Sequence, residues 1–359
     1  MDHLLLVDPK QSRKKKFTLV ATSILGTLAF CMIAGYCVMQ AQQPAHAFQA
    51  AFSENILTDL FGVWKKFHQK HYESKEEEAR KFKIFVENYK KIVEFNTQGH
   101  TSSVALNQFA DMTEEEFRGL LLSNFHRNQF QAGETVELDV TDIPDSIDWR
   151  QLGAVTPVKN QGQCGSCWAF AAVAGLEGLN QIKNGKLLSF SEQQLVDCAT
   201  NCYGCDGAET LYDALIYTAN NGVELEESYP YTARDGTCKY DASKVVFKNS
   251  GHKEVTPKSV DQLKAAIAQQ PVLVGVQASS LVFQFYSGGV ISTLCGNNVD
   301  HAVTAVGYGP YNGKDAFIVK NSWGTSWGVS GYVYISTNPT PNNGDGVCGI
   351  LGMPVYPTA

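Results

Sequence analysis

The chain has no excess of positive charge. Its 359 residues carry 29 lysines and arginines against 36 aspartates and glutamates, a net charge of −7, whereas a protein that neutralises a phosphate backbone needs the opposite balance. The one dense basic run, Arg13 to Lys16, is better explained by the apolar stretch that follows it, so nucleic acid is not expected as a partner. N-glycosylation acceptors are also missing, because no Asn-x-Ser/Thr with x other than proline occurs. Zinc-ribbon spacing is absent. The pairs Cys164-x-x-Cys167 and Cys202-x-x-Cys205 are separated by 34 residues, beyond the usual spacing of about 15 to 20, and neither metal nor cofactor is expected. A thioredoxin-like dithiol would follow the first strand of a βαβ unit, but Cys164 follows a Pro/Gly-containing loop. The composition of a disordered chain is lacking too: with 44% hydrophobic and 18% charged residues, the chain can bury a full core and hold two or three units.

One further absence is informative. Phe17 to Met39 is 23 residues without a charge, long enough at about 1.5 Å per residue to cross a hydrocarbon core of about 30 Å. Arg13-Lys14-Lys15-Lys16 precedes it, so the positive-inside rule leaves residues 1–16 cytoplasmic and sends everything after residue 40 into the lumen. Ala45-x-Ala47 resembles a signal-peptide cleavage site, but the apolar run exceeds the usual core of about 7 to 15 residues. A signal anchor over 17–39 is therefore expected, with a cleaved signal sequence as the alternative. Either places the remainder in an oxidising compartment, where disulfides persist.

What is present centres on Gln161-Gly162-Gln163-Cys164-Gly165-Ser166-Cys167-Trp168-Ala169-Phe170. Glycines and small polar residues make a turn, and Trp168 to Leu179 reads as a buried helix rich in small residues. Cys167 then sits at a helix N-terminus, where unsatisfied N–H groups and the helix dipole push a thiol towards the nucleophilic thiolate. The two cysteines could be a plain disulfide, a redox or metal pair, or one structural and one catalytic residue.

Upstream, Glu76-Glu77-Glu78-Ala79-Arg80-Lys81 leads into Phe82-Lys83-Ile84-Phe85-Val86, a strongly helical segment. Glu77, Lys81, Phe85, Asn88, Ile92 and Asn96 share one stripe of that helix, and a buried asparagine amide must find partners. Asn107-x-Phe109-x-Asp111 then joins a short apolar strand to a helix capped by Thr113, with Glu116 at the capping-box position. Residues 55–117 thus form a small helical domain. Gln129 to Asp142 loses periodicity and gains Gly, Thr and Asp, which predicts an exposed, cleavable linker within 118–142.

Ile143 opens a new globular unit, 143–359. Helices are predicted over Trp168 to Lys183, Ser191 to Cys198 and Ala208 to Asn220. Beyond about residue 245 the pattern turns to strands, at Val272 to Ala278, Ala302 to Tyr308, Ala316 to Lys320 and Gly331 to Ile335. Of eight histidines, six precede residue 143 and His252 stands in a polar turn. His301 opens an apolar strand that would carry it to a site edge. Asn321, in Asn321-Ser322-Trp323-Gly324-Thr325-Ser326-Trp327-Gly328, can accept an N–H bond from the imidazole while Trp323 shields that bond from water.

Cys164-Gly-Ser-Cys167-Trp with His301 and Asn321, 134 and 154 residues after Cys167, resembles the papain/cathepsin L-like cysteine proteases. The resemblance covers nearly all of residues 55 to 359. It implies an α+β, papain-like two-domain fold, with a helical left domain, a β-barrel-like right domain and the active-site cleft between them, preceded by a small helical pro-domain. It implies a zymogen of a cysteine endopeptidase, with Cys167 as nucleophile, His301 as general acid/base, Asn321 orienting it, and the Gln161 amide with the Cys167 N–H forming the oxyanion hole. The family pattern pairs Cys164 with Cys205, Cys198 with Cys238 and Cys295 with Cys348, leaving Cys202 as an odd thiol.

The upstream stripe matches the family's inhibitory pro-domain, with Lys81 in place of the usual Arg, which loses the planar fork, and Ala105 where the family often has Gly. That pro-domain is expected to cover the cleft and to be lost near Asp139 to Ile143 at acidic pH, where its carboxylates are neutralised. Gly207, Ala208, Gly275, Val299, Met353 and Trp323 match the substrate-binding walls and favour an apolar side chain at the second residue before the scissile bond. Cys205-Asp206-Gly207-Ala208 departs from the family's Cys-x-Gly-Gly, and Glu209 stands where an apolar or aromatic residue is commoner; both changes bear on that pocket. Peptide and protein substrates, the chain's own pro-domain, cystatin-like inhibitors and, through 17–39, a membrane are the implied partners. A lysosome- or vacuole-like acidic compartment is the implied location, with secretion as the alternative. A silent peptide binder is disfavoured because all four catalytic positions are filled, while a ligase would pass through the same thioester.

Overall fold

A computed structural model of the chain describes residues 53–123 and 135–359. The expected anchor over 17–39, its cytoplasmic flank and the Ala45-x-Ala47 site lie outside the described residues. Among the described residues no helix is long and apolar enough to cross a membrane. Two compact units divide between Lys75 and Glu76. In the first, α1 (Glu54–Phe67) buries Leu57, Phe61 and Trp64, spaced four and three residues apart along one face. Lys65 and Lys66 occupy its last turn, where the helix dipole favours cations.

The second unit takes in α2 (Lys75–Thr97) from Glu76 onward, with Phe85, Asn88, Ile92 and Phe95 buried. Its asparagines are structural fasteners. Asn88 Nδ2 donates to the carbonyls of Ala110 and Met112, both at 2.9 Å, and so holds the turn over 107–112. Asn96 makes a two-way bond with Val104 of β1 (Ser102–Val104), donating to its carbonyl at 2.7 Å and accepting its N–H at 3.1 Å. That turn delivers α3 (Glu114–Leu121), whose capping box is complete: Thr113 Oγ1 accepts the Glu116 N–H and the Glu116 carboxylate accepts the Thr113 N–H. The same carboxylate takes Arg80 at 2.8 Å and Lys81 at 2.9 Å, so a guanidinium one residue earlier stands beside the lysine that replaces the family's arginine.

The helical half that follows consists of α4 (Cys167–Asn184), α5 (Glu192–Cys198) and α6 (Asp213–Asn221). Ser191 caps α5 through the Gln194 N–H. Helix α6 starts five residues later than its composition predicts. Residues 204–206 are taken up by a 3₁₀ turn, and Thr210 and Asp213 then exchange hydrogen bonds at 2.9 and 3.2 Å that set the true start.

The remaining strands are β2 (Thr135–Val136), β3 (Ile147–Asp148), β4 (Gly251–Val255), β5 (Val272–Val276), β6 (Tyr286–Gly289), β7 (His301–Tyr311), β8 (Lys314–Lys320), β9 (Tyr332–Ser336) and β10 (Val355–Thr358). The main sheet runs β2-β4-β10-β5-β7-β8-β9, with β3 on β7, and every pairing except β2–β4 is antiparallel. The half read as mostly β also holds α7 (Val260–Gln269), capped by Ser259, and the short α8 (Leu281–Gln284). The register of β7 with β8 pairs Thr304 with Lys320, so the start of β7 and the residue after β8 come together. Helix α4 packs across β5 and β7 and brings its N-terminus to that point.

The predicted linker over 118–142 is only partly free. Leu121, Leu122 and Ser123 are buried, β2 pairs in parallel with β4, and Gln262 brackets Leu138 through both its N–H and its carbonyl. Composition reads the later part as a linker because it is held by backbone pairing and one glutamine amide, which leave no hydrophobic period. Asp139 to Asp142 are exposed.

A buried charge cluster ties the segment before the nucleophile to α4 and α5. Lys159 Nζ bonds Glu177 at 3.0 Å, Glu192 at 2.7 Å and the Phe190 carbonyl at 3.0 Å. Thr156 donates to the other Glu177 oxygen and accepts Lys320 at 2.9 Å. Two carboxylates buried this deeply are tolerated because they share cationic and hydroxyl donors.

Candidate active site

Cys167 is the first residue of α4 and has no exposed surface. The loop before it is fixed by the Cys164–Cys205 disulfide and by the Gly165 N–H donating to the Cys205 carbonyl at 2.8 Å. That approach requires glycine, since a Cβ at Gly165 would lie 2.4 Å from the Cys205 oxygen. Two more disulfides join Cys198 to Cys238 and Cys295 to Cys348, and Cys167 and Cys202 are free.

His301 opens β7, also fully buried, with Nε2 2.8 Å from Asn321 Oδ1. The same oxygen accepts the Ser322 N–H at 2.8 Å, which fixes which end of the amide faces the ring. Nε2 therefore carries the proton and Nδ1 is the bare nitrogen of the neutral imidazole. Nδ1 has no hydrogen-bond partner among the described residues. Trp323 lies over the ring with centroids 4.6 Å apart. The Ala302 N–H reaches Cys167 Sγ at 3.4 Å, so the thiol sits against the first residues of β7.

Gln161 completes the group. Its Oε1 accepts from Ser322 Oγ at 2.7 Å and Trp323 Nε1 at 3.1 Å. Two donors on the oxygen leave Nε2 directed into the cleft, where it donates to the Leu121 carbonyl at 2.8 Å and the Cys164 carbonyl at 2.9 Å. The four residues singled out by sequence thus converge on one place, and a peptide carbonyl of the upstream segment already lies on the Gln161 amide.

Leu121 to Ser123 cover the thiol. The Ser123 N–H donates to the Asp300 carbonyl at 2.8 Å, and its Oγ donates to the Gly165 carbonyl at 2.9 Å and lies 3.2 Å from Cys167 Sγ. A serine hydroxyl has one proton. With that proton on the Gly165 oxygen, the remaining contact has the thiol S–H donating to Ser123 Oγ, a geometry that holds Cys167 protonated. Phe109 and Phe117 meet Trp323 edge-on at 5.3 and 5.4 Å, Gln108 donates to the Trp323 carbonyl at 2.8 Å, Asn107 donates to the Gln284 carbonyl at 2.7 Å, and β1 pairs with β6.

The electrostatics differ from those a helix N-terminus alone predicts. Burial pushes the Cys167 thiol up to about 11 and the His301 imidazole down to about 4, because an ion pair under a dry cover loses its hydration. The field at the start of α4 is in place, but in the covered chain desolvation outweighs it. Glu116 behaves oppositely. Its partial burial would raise it, yet the bonds from Arg80, Lys81 and the Thr113 N–H hold its carboxyl at about 2.

The predicted pocket residues fall in two groups. Gly275, Val299 and Met353 meet, since a Cβ at Gly275 would lie 2.7 Å from Val299 Cγ1 and 3.0 Å from Met353 Sδ. Ala208 shares an apolar cluster with Val299, Met353, Ala302 and Cys167, its methyl buried there. Gly207 faces the cleft, against Ser123. Glu209 is half-buried and accepts the Tyr203 hydroxyl at 2.6 Å. Sequence reasoning missed Leu121, Ser123 and Ser322. Ser322 lay inside the Asn321–Gly328 motif, where its spacing after Asn321 was the available signal; Leu121 and Ser123 had none.

Comparison with known proteins gives the family. Residues 143–358 match the papain family of cysteine proteases, and residues 61–117 match the cathepsin propeptide inhibitor domain. Caricain from Carica papaya is 44% identical over 313 residues, 85% of this chain and 88% of that protein. Chymopapain from the same plant is 40% identical over 352 residues, 95% of this chain and 98% of that protein. A recombinant stem bromelain precursor superposes with a TM-score of 0.78 at 38% identity, covering 84% of this chain and 98% of that one.

The buried imidazole makes the cover sensitive to acid. A free imidazole takes its proton near 6.5, but His301 under the cover takes it only near 4. Where Cys167 does not supply the proton, as in a Cys167→Ala chain, an uncovered His301 binds a proton between those values that the covered form does not, so the stability of the cover falls as pH drops through that window. Glu116 stays charged down to about 2, so this carboxylate keeps holding α3 to α2 across that window. In a Cys167→Ala precursor, the rate at which an added protease cuts the upstream segment is expected to climb between pH 6.5 and pH 4. Glu116→Gln is expected to raise the rate throughout without moving the midpoint. A flat profile across the window would contradict this.

Proposed function

We propose, from the premise that the chain belongs to the papain family of cysteine proteases and is made as a zymogen with the family's propeptide inhibitor domain, that Cys167, His301, Asn321 and Gln161 are its catalytic residues. Once the cover leaves, His301 Nδ1 takes the thiol proton and Asn321 keeps the opposite nitrogen protonated. The thiolate attacks the peptide carbonyl, and the Gln161 amide with the Cys167 N–H holds the developing oxyanion. His301 gives its proton to the leaving amine, and water, activated by the same imidazole, resolves the thioester. The observation that carries this reading is the 2.8 Å bond from Gln161 Nε2 to the Leu121 carbonyl, because a donor that holds a peptide carbonyl beside the thiol is positioned to hold a substrate's.

Gly207, Ala208, Gly275, Val299, Met353 and Trp323 are proposed to bind substrate. The apolar surround of Gly275 favours an apolar side chain at the second residue before the scissile bond, and the shape of a cleft already filled by peptide suits cystatin-like inhibitors as well. Activation is proposed within Asp139 to Ile143, supported by the exposure of 139–142. Residues 17–39 are proposed as a signal anchor that delivers the enzyme to an acidic compartment of the secretory pathway. Full-length chain released from membranes by an alkaline wash would overturn that anchor.

Cys167→Ala is expected to abolish peptide hydrolysis, and Gln161→Ala to lower kcat/KM by about 10²- to 10³-fold. Unimpaired turnover by either would sink its assignment. Acid activation of the full-length precursor, followed by N-terminal sequencing and a peptide-library profile, is expected to give a new terminus at 139–143 and an apolar preference. A terminus elsewhere, or a basic preference, would overturn those two proposals.

A further inference from the structure

The two proposed oxyanion donors come from different places, Gln161 from the loop before α4 and Cys167 from the helix itself, so something must hold their separation. Gln161 is fixed on one side by Ser322, which accepts its N–H at 2.8 Å and donates to its side chain. On the other side stands Tyr231. Its hydroxyl donates to the Gln161 main-chain carbonyl at 2.8 Å and lies 2.6 Å from Ser166 Oγ. A phenol has one proton, and with that proton on the carbonyl, Ser166 is the donor in the second bond. Ser166 is fully buried, stands at the N-cap position of α4 without a side-chain capping bond, and directly precedes Cys167.

Tyr231 is itself held. Its ring stands edge-on to Phe170, one turn along α4, at 4.9 Å, and its N–H donates to Glu226 Oε1 at 2.9 Å. Burial pushes the phenol upward, so it remains a donor wherever the enzyme works.

We infer that Tyr231 is a positioning residue of the oxyanion hole: one hydroxyl links the backbone of Gln161 to the residue before the nucleophile and sets the spacing of the two donors. This rests on the reading of Gln161 as an oxyanion donor. Side chains near Tyr231 pack as an ordinary core would, but a packing role needs only the ring, whereas both bonds described here need the oxygen.

Tyr231→Phe keeps the ring and removes the oxygen. In enzyme activated from the full-length precursor, kcat/KM is expected to fall about tenfold, because small misplacements of catalytic groups are costly. The inhibition constant of a peptide aldehyde, which forms a tetrahedral adduct with the thiol, is expected to rise by a similar factor. That of a product peptide should stay within about twofold, since it needs no oxyanion donor. Ser166→Ala removes the other end of the link and should give the same split, which keeps the test open if one variant matures poorly. Unchanged kcat/KM, or aldehyde and product affinities that weaken together, would overturn the inference. Gln161→Ala measured alongside separates the readings: no loss there removes the oxyanion assignment itself, whereas loss there without loss in Tyr231→Phe removes only the role of Tyr231.

Discussion

Desolvation of one thiol and one imidazole is the constraint on which the rest depends. A thiolate–imidazolium pair is stable where water or a polar substrate can reach it, and costly where neither can. Leu121 to Ser123 lie over Cys167, Trp323 lies over His301, and burial keeps both groups neutral. The three covering residues add specific bonds to general burial. The Leu121 carbonyl fills the Gln161 amide, Ser123 Oγ accepts a hydrogen bond from the thiol, and the Asp300 carbonyl holds the Ser123 backbone.

Three residues cannot hold themselves in a cleft, and the upstream helices supply the hold. Asn88 fastens the 107–112 turn, the turn delivers α3 with its complete capping box, and α3 ends where the cover begins. Phe109 and Phe117 then rest on Trp323, the indole that also lies over His301 and donates to Gln161. The surface that grips the pro-segment is therefore part of the proposed catalytic apparatus. A cover built on it blocks the site and supports the arrangement beneath it at once.

Much of this was legible in the chain. Cys167, His301 and Asn321 stood out because nucleophile, base and orienting amide each need a particular side chain in a particular local setting. The stripe from Glu77 to Asn96 was readable as a helix face, and Asn88 and Asn96 as amides in need of partners. The helix at Val260–Gln269 and the late start of the helix at Asp213 were not legible. The first is a short insertion among strands, and the second depends on a disulfide-tied turn and a Thr210–Asp213 exchange. Leu121 and Ser123 were hidden for a different reason: they act through a carbonyl at the end of α3 and a hydroxyl just beyond it, and only three-dimensional proximity gives those atoms meaning. The upward shift of the thiol in the covered chain was not legible from sequence, because a helix N-terminus is local and burial is not.

The most direct test of the account is the rate at which a thiol-directed epoxide labels Cys167 in the intact, full-length precursor, compared with the mature enzyme, at neutral and at acidic pH. The covered, neutral thiol predicts essentially no labelling of the precursor at pH 7, labelling that emerges as pH falls towards 4, and rapid labelling of the mature form at both. Precursor labelled at pH 7 as fast as mature enzyme would contradict it.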